Sequence, residues 1–146
     1  MKTWIKIVIG LAVIGIIAAV VVFNYINKEH PDYAKAEAEL IIKPKRLYTD
    51  YTKNLDLANE KYTGKIIQLE GNISKVEMAD TLVILAYVYH EGDFGDEGIR
   101  VTMLKEYNQP AIHLSPARPL KIKGLCTGYN GTDVIFEKGS IVKTEE

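Results

Sequence analysis

Cys126 is the only cysteine of the chain, set in LKIKGLCTGYNGTDVIFEKGSIV with Gly124 and Gly128 two positions to either side. A lone thiol can be a nucleophile, a metal ligand or a small apolar wall residue, depending on what surrounds it. His30, His90 and His113 are scattered, with no cysteine or second histidine at ligand spacing nearby, so a zinc site has no donor set. Ser74, Ser115 and Ser140 lack the G-x-S-x-G frame of a nucleophile elbow. There is no P-loop and no dinucleotide fingerprint. The residues point away from an enzyme, a metal site or a cofactor, and toward binding or a structural role.

The candidate ligand-binding residues are Tyr87, Tyr89, Phe94, Arg100 and Lys105. Tyr87 and Tyr89 are two apart and share one face of a strand, where a pair of rings can stack nucleobases at roughly 1–3 kcal/mol per base. The competing role for such tyrosines is ordinary packing on the sheet. The adjoining EGDFGDEG loop carries Glu91, Asp93, Asp96 and Glu97, which would repel phosphates. It lacks EF-hand spacing and reads as a solvated hairpin tip.

These residues need strands to hold them. From residue 64 the apolar period is two: Ile67, Leu69, Gly71 and Ile73 face one way in KIIQLEGNISKV. TLVILAYVYH, GIRVTML, LKIKGLCTGY and TDVIFEKGSIV supply four more strands, with a long connection at residues 105–118. Asn130-Gly131 is a hairpin signal for a type I′ turn. Five strands with a long third connection is the element order of an OB-fold barrel, and glycines at 71 and 124 suit its bends. In the fourth strand Leu120, Ile122, Gly124 and Cys126 fall on one face, which makes Cys126 a small buried residue. Before the barrel, Pro44 opens a helix through residue 63 whose stripe is Leu47, Tyr51, Leu55, Ala58 and Tyr62, closed by Gly64.

Residues 1–27 read as a membrane anchor. Ile7 to Phe23 is a run of 17 apolar or glycine residues, longer than the apolar core of a signal peptide and ending in bulky FNYIN. Lys2 and Lys6 precede it, which places the N-terminus in the cytoplasm and the domain outside. Residues 28–43 are a polar stalk, 44–63 the amphipathic helix and 64–143 the OB-fold domain. Residues 1–30 carry a net charge of +2 and residues 31–146 a net charge of −3. An acidic domain lacks the basic footprint of a strong nucleic-acid binder.

LYTDYTKNLDLANEKYTGKIIQLEGNIS together with KGLCTGYNGTDVIF resembles the tRNA-anti-like OB-fold family of small, membrane-anchored bacterial proteins, frequent among Bacteroidetes. The resemblance is carried by Asn54, Ala58, Asn59 and Tyr62, by Gly64, Lys65 and Gly71, and by Lys123, Gly124, Cys126, Gly128, Asp133 and Val134. It covers about residues 25–143 and rests on structural motifs. Relatives often carry a second cysteine in the fifth strand, where this chain has Gly139. The resemblance implies an OB-fold and, by analogy with anticodon-binding domains, nucleic-acid binding. The expected molecule is a mainly β protein: a five-stranded OB-fold barrel behind an amphipathic helix and a transmembrane helix. Its partners are the lipid bilayer and a protein or envelope component. The alternatives are single-stranded nucleic acid on the barrel face and a structural subunit of a membrane complex.

Overall fold

The computed structural model describes residues 2–27 and 32–143. Residues 28–31 of the expected stalk, with His30, lie outside the described residues. Two compact units divide at Pro31/Asp32. The first is helix α1, Lys2–Ile26, whose most apolar 18-residue window has a mean hydropathy of 2.9, with no buried residue. Its 25 residues make a rod of about 38 Å, long and apolar enough to cross a membrane.

Among its described residues the second unit is a seven-stranded mixed sheet with three α-helices and a 3-10 turn at Lys105–Tyr107. Strand β1 (Leu40–Ile42) runs parallel to β2 (Ile66–Gly71), with Leu40 opposite Ile67 and Ile42 opposite Leu69. It falls within the stretch read as a stalk. Three apolar residues are too few to show a period, and only the distant partner makes them a strand. The chain ahead of β1 is fastened too: the buried Lys123 ammonium donates to the carbonyls of Ala34, at 2.9 Å, and Ala36.

Two helices stand where one continuous helix was expected. α2 (Pro44–Lys53) and α3 (Leu55–Tyr62) meet at Asn54, which is extended (φ −152°) and accepts the Leu57 N–H with its side chain at 3.2 Å. Asparagine is among the best N-cap residues, and this one restarts the helix. Leu47, Tyr51, Ala58 and Tyr62 are buried, but the break turns Leu55 outward. Gly64 (φ +83°) follows the end of α3, the left-handed position that favours glycine.

The remaining strands are β3 (Lys75–Ala79), β4 (Leu82–Gly92), β5 (Gly95–Met103), β6 (Leu120–Tyr129) and β7 (Asp133–Ile141); the five-residue α4 (Asn108–Ile112) lies between β5 and β6. The spatial order is β1-β2-β6-β7-β5-β4-β3. This corrects the expected five-stranded barrel. The first barrel strand is interrupted at residues 72–74, so β2 pairs with β6 while β3 pairs with β4. The hydrogen-bond ladder therefore does not close; β1 and β3 are its edges. Three residues link β2 to β3, so the sheet curls around Leu69, Ile73, Leu85, Ile99, Ile122 and Phe136, all buried.

The β6–β7 hairpin falls at Asn130-Gly131 as the sequence suggests, with a different turn. Only Gly131 takes a positive φ, +100°. Asn130 instead accepts the N–H groups of Thr132 and Asp133 with its side-chain oxygen, a local Asx arrangement. Cys126 is fully buried with its sulfur 3.3 Å from the Tyr51 hydroxyl.

Candidate functional site

The β4–β5 hairpin turns at Asp93-Phe94, so most of the acidic loop is strand. A bulge between Val88 and His90 leaves Tyr89 without a cross-strand partner. There β4 and β5 approach so closely that a Cβ on Gly98 would lie 1.7 Å from the Tyr87 carbonyl oxygen. Tyr87, opposite Ile99, is 1% exposed. It cannot stack a base, and the two-tyrosine platform is corrected to one core ring and one packing ring. Tyr89 is half-buried and stacks on Tyr48 of α2 at 5.5 Å between centroids. Burial pushes the hydroxyls of both Tyr48 and Tyr89 up to about 12.

Phe94 stands fully exposed at the hairpin tip. A cavity of about 250 Å³ beside it is lined by Asp93, Asp96, Glu97, Asp133 and Arg100 among others. Arg100 is already committed: its Nε donates to Asp133 at 3.0 Å and its Nη1 to Glu77. Lys75 bridges Asp96 at 2.6 Å and Glu77 at 2.9 Å. The hydrogen bond from Lys75 holds the Asp96 carboxyl below its ordinary range. Asp133 also accepts the Gly98 N–H at 2.9 Å. Two cations thus face three carboxylates, and an incoming phosphate would find no free cation in this network. Lys105 is exposed in the 3-10 turn beyond the opposite end of β5 from Phe94, so the structure does not bring it to the same site.

A second surface was not among the expected sites. Three adjoining cavities of about 540, 500 and 470 Å³ surround α2, and Arg46 lines all of them. Lys43, Lys45, Lys53 and Lys61 share their walls with only Asp50 and Glu60. Asp50 is engaged by the Tyr62 hydroxyl at 2.6 Å. Among the described residues none of the five cations makes an ion pair; Lys61 lies 5.0 Å over the Tyr62 ring. The signal in the sequence was K-P-K-R at residues 43–46. Among the described residues no group of three His, Cys, Asp or Glu could hold a metal ion.

Comparison with known proteins adds a family. No curated protein matches. Among solved structures, a Klebsiella pneumoniae protein described as a candidate nucleic acid-binding lipoprotein is similar in fold: 19% identity and TM-score 0.51, over 70% of this chain and 91% of its own. A chain of the S. pombe Stn1-Ten1 complex aligns at 15% identity and TM-score 0.36, over 54% of this chain and 59% of that one. Entamoeba histolytica aspartyl-tRNA synthetase aligns at 14% identity and TM-score 0.43, over 82% of this chain and 24% of its own. The family model described as tRNA_anti-like matches residues 1–141, and the chain therefore belongs to the tRNA_anti-like family.

Proposed function

We propose that this chain is a membrane-anchored binding module, not a catalyst, which holds its β domain on the extracytoplasmic side and engages a protein partner through the Phe94 end of the β4–β5 hairpin. Phe94 carries the reading: a fully exposed aromatic ring at a tight turn belongs to the residue class enriched at the core of protein interfaces. The carboxylates around it favour a partner surface with cationic groups. The apolar α1 and the lysines ahead of its core support the anchoring and the orientation.

The test is a photo-cross-linking amino acid at position 94 in the full chain, in its native membrane, with exposed Met78 on β3 as control. A discrete protein adduct from 94 and none from 78 supports the reading; identical patterns from both positions sink it. Protease digestion of the domain on intact cells, from outside the cytoplasmic membrane, tests the orientation.

Single-stranded nucleic acid is the second reading, prompted by the description of the Klebsiella relative. On the β4–β5 face a phosphate would have to displace carboxylates from Arg100 or Lys75. Oligonucleotide binding that falls steeply with salt and weakens in Arg100→Ala would favour it.

A further inference from the structure

Five cations that make no ion pair among the described residues are gathered around α2, while the unit as a whole is acidic. Residues 31–146 carry 15 lysines and arginines against 18 carboxylates. Five of those cations and only two of the carboxylates line the three cavities that share Arg46. The same walls bear protruding aliphatic side chains: Ile41 is 64% exposed and Leu57 63%. Their aromatic residue, Tyr62, is 1% exposed, which leaves no ring on which a nucleobase could stack. Cations beside exposed aliphatics, without a stacking ring, are the composition of a surface that settles into a lipid headgroup layer.

From these contacts we infer that the α2–α3–β1 groove docks on anionic phospholipid headgroups of the bilayer that holds α1. Lys43, Arg46, Lys53 and Lys61 meet the phosphates, and Ile41 and Leu57 enter the interfacial layer. The inference rests on the anchoring reading above. Five residues, 27–31, lie in the sequence between the end of α1 and Asp32, a reach of at most about 20 Å. Such a tether keeps the groove at an effective concentration near the bilayer that a soluble domain would not have. Docking then needs only weak intrinsic affinity, and a few unpaired cations supply it.

The experiment uses the full chain in nanodiscs of phosphatidylcholine alone or with phosphatidylglycerol. Leu57→Cys carries a fluorophore, and a nitroxide-labelled lipid reports proximity by quenching; buried Cys126 stays unlabelled. Quenching is expected on the phosphatidylglycerol discs, to be reversed by salt and to be weak on phosphatidylcholine. Lys61→Gln should lower the docked-to-free ratio roughly fivefold, from about 1 kcal/mol per basic residue at an anionic surface. The combined K43E, R46E and K61E changes should abolish docking. Equal quenching on both lipids, with the chain incorporated in both, overturns the inference alone. Failure to incorporate at all overturns the anchoring reading with it. Binding of a single-stranded oligonucleotide on neutral discs, weakened by Lys61→Gln, assigns the groove to nucleic acid and overturns lipid docking.

Discussion

Arg100 and Arg46 carry the same guanidinium in the same acidic unit, and their surroundings make them different reagents. Arg100 lies between Asp133 and Glu77, reached from strands β7 and β3. Arg46 lines three cavities without an ion-pair partner among the described residues. Ion pairing turns the first into a strut that holds β3, β5 and β7 in register. The second keeps its charge available to solvent and to ligands. Net charge therefore says little about where an anion can bind. What matters is which cations the fold has already neutralised.

Gly98→Ala is the harshest way to break the β4–β5 side. Its Cβ would meet the Tyr87 carbonyl, and a backbone atom cannot rotate away. We expect a loss of about 3 kcal/mol, read by urea unfolding; a variant of unchanged midpoint would mean that the bulge does not constrain this position.

Arg100→Ala comes next. It strands Asp133, whose side chain is 11% exposed, beside Glu77. Breaking a fully buried pair costs about 3–5 kcal/mol, and with Arg100 itself 26% exposed a loss of about 2 kcal/mol is expected by the same measurement. Asp133→Ala combined with Arg100→Ala should cost less than the sum of the two single changes.

Alkaline pH probes tyrosine burial, which falls on Tyr48 and Tyr89 where α2 meets the hairpin and which raises Tyr51, Tyr62, Tyr87 and Tyr129 as well. The folded state favours the neutral forms of Tyr48 and Tyr89, raised from 10.0 to about 12. Their contribution is complete below pH 10.0 and is lost as pH rises from there toward about 12. The melting temperature should fall over that window, and tyrosinate absorbance should rise with unfolding. A melting temperature that stays level across the window would contradict the Tyr48–Tyr89 packing.

Arg46→Ala is the smallest effect and the control for the rest. With no partner to strand, it should move stability by less than about 0.5 kcal/mol. A cost equal to that of Arg100→Ala would erase the distinction between the two arginines.

Much of this was legible in local pattern, and the failures share a cause. The stripe Leu47, Tyr51, Ala58 and Tyr62 is readable as one helix face, yet Leu55, at the same spacing, lies outside it. Asn54 restarts the helix while keeping the inward face on either side, so the spacing hides the break. The break in the first barrel strand was hidden in the same way. Leu69 and Ile73 are both buried and four residues apart, so the period of two runs through the interruption at 72–74 undisturbed. Cys126 is buried, as its place on the apolar row of its strand predicts, and burial pushes its thiol up, away from reactivity. Tyr87 and Tyr89 share the expected parity, but neither parity nor composition could show that the shared face was the inner one.

The sequence alone determined the features that are contiguous along the chain. These are the apolar length of α1, the period of the strands, the position of the β6–β7 turn and the motifs of the tRNA_anti-like family. Each is decided by residues within a few positions of one another. Tertiary structure decided the split of the first strand between β6 and β4, the recruitment of Leu40–Ile42 as an edge strand, and the pairing of Arg100. Those outcomes depend on register between strands distant in sequence; Asp133 is 33 positions from Arg100 and Glu77 is 23. Whether a charge is spent or free follows from that register, because an ion pair needs its partners within a few ångströms whatever their separation along the chain.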